Sequence, residues 1–144
     1  MAEIRDRRDK KLFNMLMEKY NEYGLARGLG KMRYLVYVVE ERVEYWVAGA
    51  TLQDAKPFAR VLERLGVEVE GTLFLRRVAS FVPERSCGVM AQFLRDLGEA
   101  MRREGAERLA GFESREYMVD VERRVGFVEV GRSRSGARLF VKYL

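Results

Sequence analysis

The chain has 144 residues, 48% of them hydrophobic, enough to bury a core without metal or disulfide staples, so one domain over residues 1–144 is expected. It has no histidine and a single cysteine, Cys87, which excludes Ser-His-Asp and Cys-His catalysis and an internal disulfide, and argues strongly against a zinc site. The net charge of +5 and pI of 9.5 admit an anionic partner, but arginine far outnumbers lysine while asparagine and glutamine are scarce. That balance is thermophile-like, and compositional drift with surface ion pairs accounts for it more simply than nucleic acid does. No apolar run approaches the ~18 residues of a membrane span. The charged start lacks the apolar centre of a signal peptide, so a cytoplasmic protein with no membrane contact is expected.

Residues 7–23 carry Leu12, Phe13, Met15, Leu16, Tyr20 and Tyr23 at helical spacing before Gly24, which predicts a first helix with that apolar face. After a glycine-containing connection, Met32–Glu40 is rich in Tyr, Leu and Val, and residues 43–52 return as its hairpin partner across Glu41-Arg42. Asp54 has the chemistry of an N-cap for a helix marked by Phe58, Val61, Leu62 and Leu65, with Pro57 in its first turn and Gly66 as its stop. The central strand is expected over residues 67–82, bent at Gly71. Val89, Met90, Phe93, Leu94, Leu97 and Met101 then repeat at helical spacing as far as Glu104, closed by Gly105. A short strand over 109–113, a helix over 115–125 and a final hairpin of 127–130 with 137–144 complete the chain. The order α-β-β-α-β-α-β-α-β-β predicts an α/β (α+β) fold, a mixed, mostly antiparallel central sheet flanked by helices.

Between the central strand and the second long helix runs Arg85-Ser86-Cys87-Gly88-Val89-Met90. A strand, a short loop with one arginine and one glycine, and a helix start aim unsatisfied backbone N–H groups and a guanidinium at one point. Such a point attracts phosphate.

This order, with the loop and a C-terminal Arg-Val-Gly-Phe, resembles the GNAT family of acyl-CoA-dependent N-acetyltransferases. The family pattern Val-x-Pro-x-x-[Arg/Gln]-x-x-Gly-x-[Gly/Ala] is approached by Val82-Pro83-Glu84-Arg85-Ser86-Cys87-Gly88-Val89-Met90, with Phe93-Leu94 at the paired apolar positions. Gly105-Ala106-Glu107-Arg108-Leu109 and Arg124-Val125-Gly126-Phe127 look like the family's next strand start and its closing motif. Residues 72–144 carry the match; the first helix and hairpin agree in kind only. Four features depart from it, one being Pro83, which stands one residue nearer the glycine than the family's proline. Met90 stands where the family keeps Gly or Ala, and narrows the loop unless its side chain folds away. Glu122 stands where the family's frequent general-acid tyrosine lies. A helix over residues 53–65 sits where the family usually has a turn.

The resemblance implies that acetyl-CoA is held by Phe81, Val82, Arg85, Ser86, Cys87, Gly88, Val89 and Met90, with backbone amides near Phe81 and Val82 meeting pantetheine. It also implies that the strand ending at Glu113 splays from its neighbour to admit the thioester. Glu113 there is a candidate base for an amine, if burial raises its pKa, or an ordinary strand-end carboxylate. Glu122 and Tyr117, on the next helix, are further catalytic candidates, Tyr117 doubling as core. Cys87 reads more simply as a small filler than as a nucleophile, having no base beside it. Tyr34, Tyr37, Tyr45 and Trp46 form either cross-strand packing or a stacking surface for nucleic acid. The leading function is acetyl transfer from acetyl-CoA to an amine acceptor the sequence does not name. The alternative is a catalytically inactive GNAT-like binding module contacting nucleic acid. A homodimer fits either.

Overall fold

A computed structural model describes residues 1–26, 31–40, 44–82 and 87–144. The elements run β1 (Ala2–Ile4), α1 (Arg7–Tyr20), β2 (Met32–Glu40), β3 (Glu44–Asp54), a 3₁₀ turn (Lys56–Phe58), α2 (Ala59–Arg64), β4 (Thr72–Ser80), α3 (Cys87–Arg103), β5 (Arg108–Phe112), α4 (Glu116–Arg124), β6 (Val128–Arg132) and β7 (Arg138–Tyr143). All seven strands form one sheet in the order β1-β2-β3-β4-β5-β7-β6. Among the described residues only β4 and β5 pair in parallel. This is the expected mixed, mostly antiparallel sheet.

Two-residue alternation sorts the helices onto the two faces. Leu35 and Phe140 lie in the large core under α3 and α4. Their sequence neighbours Val36 and Val141 lie in the cores under α1 and α2. So α3 and α4 cover one face, α1 and α2 the other. Tyr34 packs on Phe13 of α1 while Tyr37 packs on Phe93 of α3. Of the hairpin aromatics, Tyr34 and Trp46 therefore feed the α1-side core and Tyr37 the α3-side core, while the side chain of Tyr45 lies outside the described residues.

Several boundaries differ from expectation, each for a local reason. α1 stops at Tyr20 because Asn21 leaves the helical conformation and bonds its side chain to the backbone, donating to Val78 O at 2.9 Å and accepting from Tyr23 N at 2.8 Å. Its buried face is Phe13 and Met17, whereas Leu12, Met15 and Tyr23 are exposed. Asp54 ends β3, and its carboxylate accepts from Lys56 N at 2.8 Å, so it holds the first N–H of the 3₁₀ turn from the position before the N-cap, Ala55, and does not cap α2 itself. β4 begins only at Thr72, since Gly71 takes φ +81° and breaks the run from residue 67. The β1 edge strand has no counterpart in the sequence reading. The turn at Glu41-Arg42 lies outside the described residues.

Candidate active site

The site begins with a bulge. β4 and β3 pair in register until Thr51 meets Arg77 and Leu52 meets Leu75, leaving Arg76 as the extra residue on β4. A bulge bends its strand and increases the local twist. On the other side, β4 pairs with β5 only at Thr72–Phe74 against Arg108–Ala110. Beyond that, β5 follows β7 while β4 follows β3, and the two strands part. Gly111 stands at the parting point, where a Cβ would lie 2.8 Å from Leu75 O. Only a residue without a side chain lets the strands approach this closely before they diverge.

The wedge between them holds a cavity of about 310 Å³. Its walls come from Tyr23 after α1, Phe58 of the 3₁₀ turn, Arg76 and Arg77 of β4, residues 111–115 after the join, Glu122 of α4, and Arg138 of β7. Since Phe81 N–H donates to Val47 O of β3 at 2.8 Å, alternation turns the backbone of Val78, Ser80 and Val82 toward the gap. Phe81 itself packs into the α1-side core, so its amide does not face the wedge. Val82 lies beyond the end of β4, and its N–H donates to Ser80 Oγ at 3.5 Å.

Glu122 lies in the cavity wall, only 3% exposed, and its Oε2 has no hydrogen-bond partner among the described residues. Burial pushes its carboxyl well above the ordinary carboxylate range, the nearby Glu113 charge adding to the rise and Arg115 opposing it. At neutral pH this carboxyl keeps its proton more readily than any ordinary glutamate.

Glu113 is equally buried but fully engaged. Oε1 accepts from Arg115 Nε at 2.8 Å and from Arg115 N at 2.9 Å, and Oε2 accepts from a terminal guanidinium nitrogen at 2.9 Å. Arg115 also reaches Glu22 at 2.9 Å and Val78 O at 3.2 Å. Burial works against the Arg115 charge, but the Glu113 and Glu22 contacts outweigh it and hold the guanidinium above its usual range. Tyr23 closes this network, its hydroxyl bonding Ser114 Oγ and, at 3.3 Å, Glu113. Tyr117 bonds Glu22 at 3.1 Å, behind the cavity wall rather than in it.

The structure thus brings Glu113 and Glu122 to one cavity and sets Tyr117 outside it. Arg85 and Ser86 lie outside the described residues. Cys87 opens α3, and Gly88 is exposed with open space where a Cβ would stand. Met90 is 3% exposed, its side chain in the α3-side core. Sequence reading missed Tyr23, Arg76, Arg77 and Arg115. The signal for two of them was present: Arg76-Arg77 interrupts an otherwise apolar strand.

No family model matches the chain. It is 31% identical over 149 residues to Uncharacterized protein 154 of Sulfolobus islandicus rod-shaped virus 1, a match spanning 100% of this chain and 95% of the viral one. The chain belongs to the family of that viral protein. Solved structures extend the likeness to the fold. Tetrahymena GCN5 superposes with a TM-score of 0.65 at 12% identity, over 96% of this chain and 89% of that one. The ribosomal-protein-S18-alanine N-acetyltransferase of Escherichia coli gives 0.63 at 14% identity, over 99% and 92%. AAC(6')-Ib in complex with ribostamycin and coenzyme A gives 0.56 at 14% identity, over 78% and 64%. The viral-family chain has a divergent GNAT fold.

Proposed function

We propose that this protein transfers an acyl group, acetyl in the first instance, from acetyl-CoA to an amine within the β4–β5 wedge. The observation that carries the reading is Glu122, a buried carboxyl with an unpartnered oxygen at the cavity where the strands part. Among structures of this fold, that of AAC(6')-Ib holds coenzyme A and ribostamycin together. In this chain the backbone of Ser80 and Val82 offers an edge for an extended amide such as pantetheine, and the start of α3 at Cys87, Gly88, Val89 and Met90 lies where a pyrophosphate would meet N–H groups. Arg85 and Ser86 belong to the same proposal through the sequence motif.

The chemistry follows from the residues. The amine nitrogen forms a bond to the thioester carbonyl carbon, the carbonyl oxygen carries negative charge in the tetrahedral intermediate, and the C–S bond then breaks. Glu122 gives its proton to the departing sulfur, so that a thiol rather than a thiolate leaves. The amine's own proton goes to water, which restores Glu122 to its protonated form. Glu113, held on both oxygens by Arg115, orients that arginine against Val78 O and steadies the mouth of the wedge.

The test joins calorimetric titration with acetyl-CoA to turnover of an amine panel, followed by thiol release. Acetyl-CoA should bind the parent and Glu122→Gln alike, while the variant loses about 10²–10⁴-fold in turnover, the usual range for a proton donor. Absence of acetyl-CoA binding in the parent would overturn the reading in favour of a binding module.

A further inference from the structure

The acceptor side of the cavity carries a charge pattern that acyl transfer does not need. Four arginines line the cavity, Arg76, Arg77, Arg115 and Arg138, against two glutamates. Glu113 is bound to Arg115 on both oxygens, and Arg138 is tied to Glu129 at 2.8 Å and Glu116 at 3.2 Å. Glu122, its carboxyl pushed up by burial, holds its proton more readily than an ordinary glutamate. Most of the negative charge in the wall is thereby taken up, and among the described residues no carboxylate forms an ion pair with Arg77, which feels Glu113 only from beyond ion-pair distance.

Among the described residues, the hydrogen bonds of Arg77 go to neutral groups. Its Nε donates to Gly24 O at 3.2 Å, a terminal nitrogen donates to Arg76 O at 2.7 Å, and the guanidinium lies 5.7 Å from the centre of the Tyr23 ring. Burial pulls its pKa below the usual guanidinium range, the charges of Arg76 and Arg115 add to the fall, and Tyr23 and Glu113 only partly oppose it. A part-buried cation beside two others, without a carboxylate of its own, is costly unless something anionic joins it. The placement is also a product of the bulge. Neighbours on a regular strand point to opposite faces, yet Arg76 and Arg77 line one cavity because the strand gains a residue between them and their partners. The two strand arginines flank the opening, with the aromatic rings of Phe58 and Tyr23 beneath their guanidinium planes. Planar donors backed by aromatic rings suit a carboxylate or phosphate.

We propose that the acceptor is an anionic amine, carrying a carboxylate or phosphate close enough to its amino group for Arg77 to bind the anion while the amine enters the wedge. The inference rests on the acyl-transfer reading for the role of the amine, and on the cavity alone for the anion. A volume of about 310 Å³ suits a small molecule or the end of a chain.

Two measurements test it. The first compares turnover of β-alanine, O-phosphoethanolamine, ethanolamine and ethylenediamine with acetyl-CoA. The carboxylate or the phosphate amine, whichever is the source, should exceed ethanolamine by about 10-fold or more in kcat/KM, with ethylenediamine lowest, and Arg77→Gln should bring the ratio near one. Turnover without that preference overturns the anionic acceptor and leaves acyl transfer standing. The second uses no acyl transfer: glutarate and inorganic phosphate, against neutral glutaramide, are titrated into the parent and Arg77→Gln while thermal stability is followed. An anion-specific rise lost in the variant upholds the anion site even where no amine is acetylated, in which case acyl transfer alone falls. Equal response to glutarate and glutaramide, with none to phosphate, overturns the inference whatever turnover shows. Should Arg77→Gln not fold, that comparison in the parent decides by itself.

Discussion

Glu122 and Glu113 share a cavity and differ in what holds them, and their variants should separate accordingly. Glu113→Gln removes one charge from a bidentate pair that Arg115 completes, so it should destabilise the fold by about 1.5–3 kcal/mol. Arg115→Met is the harsher change. It strands the Glu113 carboxylate at 4% exposure without its cation, with an expected loss of about 3–5 kcal/mol in urea denaturation. If Arg115→Met proves milder than Glu113→Gln, the pair is not the clamp described. Glu122 could be singled out in the sequence, because it occupies a motif position where a tyrosine was expected. Its burial could not, and neither could the clamp, whose members Glu22, Tyr23, Glu113 and Arg115 lie some 90 residues apart.

At the scale of elements, local patterns carried far. The Met32–Glu40 strand matches its prediction residue for residue, and α3 is the long apolar-striped helix expected after the loop. What escaped is long-range. β1 is three residues whose identity comes from pairing with β2, not from any hydrophobic alternation. The β4 bulge is a register event between two strands, and only a register places Arg76 and Arg77 on one cavity. Gly111 makes the same point with a measurable consequence. Gly111→Ala sets a methyl group 2.8 Å from a backbone oxygen that has no rotamer to escape into. The expected cost is about 1–3 kcal/mol, read from the urea midpoint, with β5 pushed away from β4. A variant as stable as the parent would mean that the join tolerates more separation than its geometry shows.

For the molecule as a whole, the buried carboxyl leaves a signature in stability against pH. Above the ordinary value of 4.5 the unfolded chain has released the Glu122 proton and the folded chain retains it, so stability falls as pH rises toward the raised folded value, then levels. The opposite sign belongs to Glu3 and Glu22. Arg33 lowers the first, while backbone and Arg115 contacts lower the second against the effect of burial, so their contribution is lost as pH falls through the acid range. Glu122→Gln abolishes only the first effect: its urea midpoint should gain on the parent's as pH rises above the ordinary value of 4.5, and a constant gap would refute the raised pKa. Four strands stand on one side of the wedge and three on the other, and three residue pairs join them. Arg108 fastens that corner, donating to Thr72 Oγ1 at 3.0 Å and Glu70 O at 2.7 Å. The architecture is that of two leaves bound along a short spine. Whatever occupies the wedge touches both leaves and completes a seam the chain leaves unsewn, so occupancy and cohesion are one quantity. Amide exchange should then slow on ligand binding even in β6, no residue of which lines the cavity, because the three-strand leaf opens as a unit or not at all.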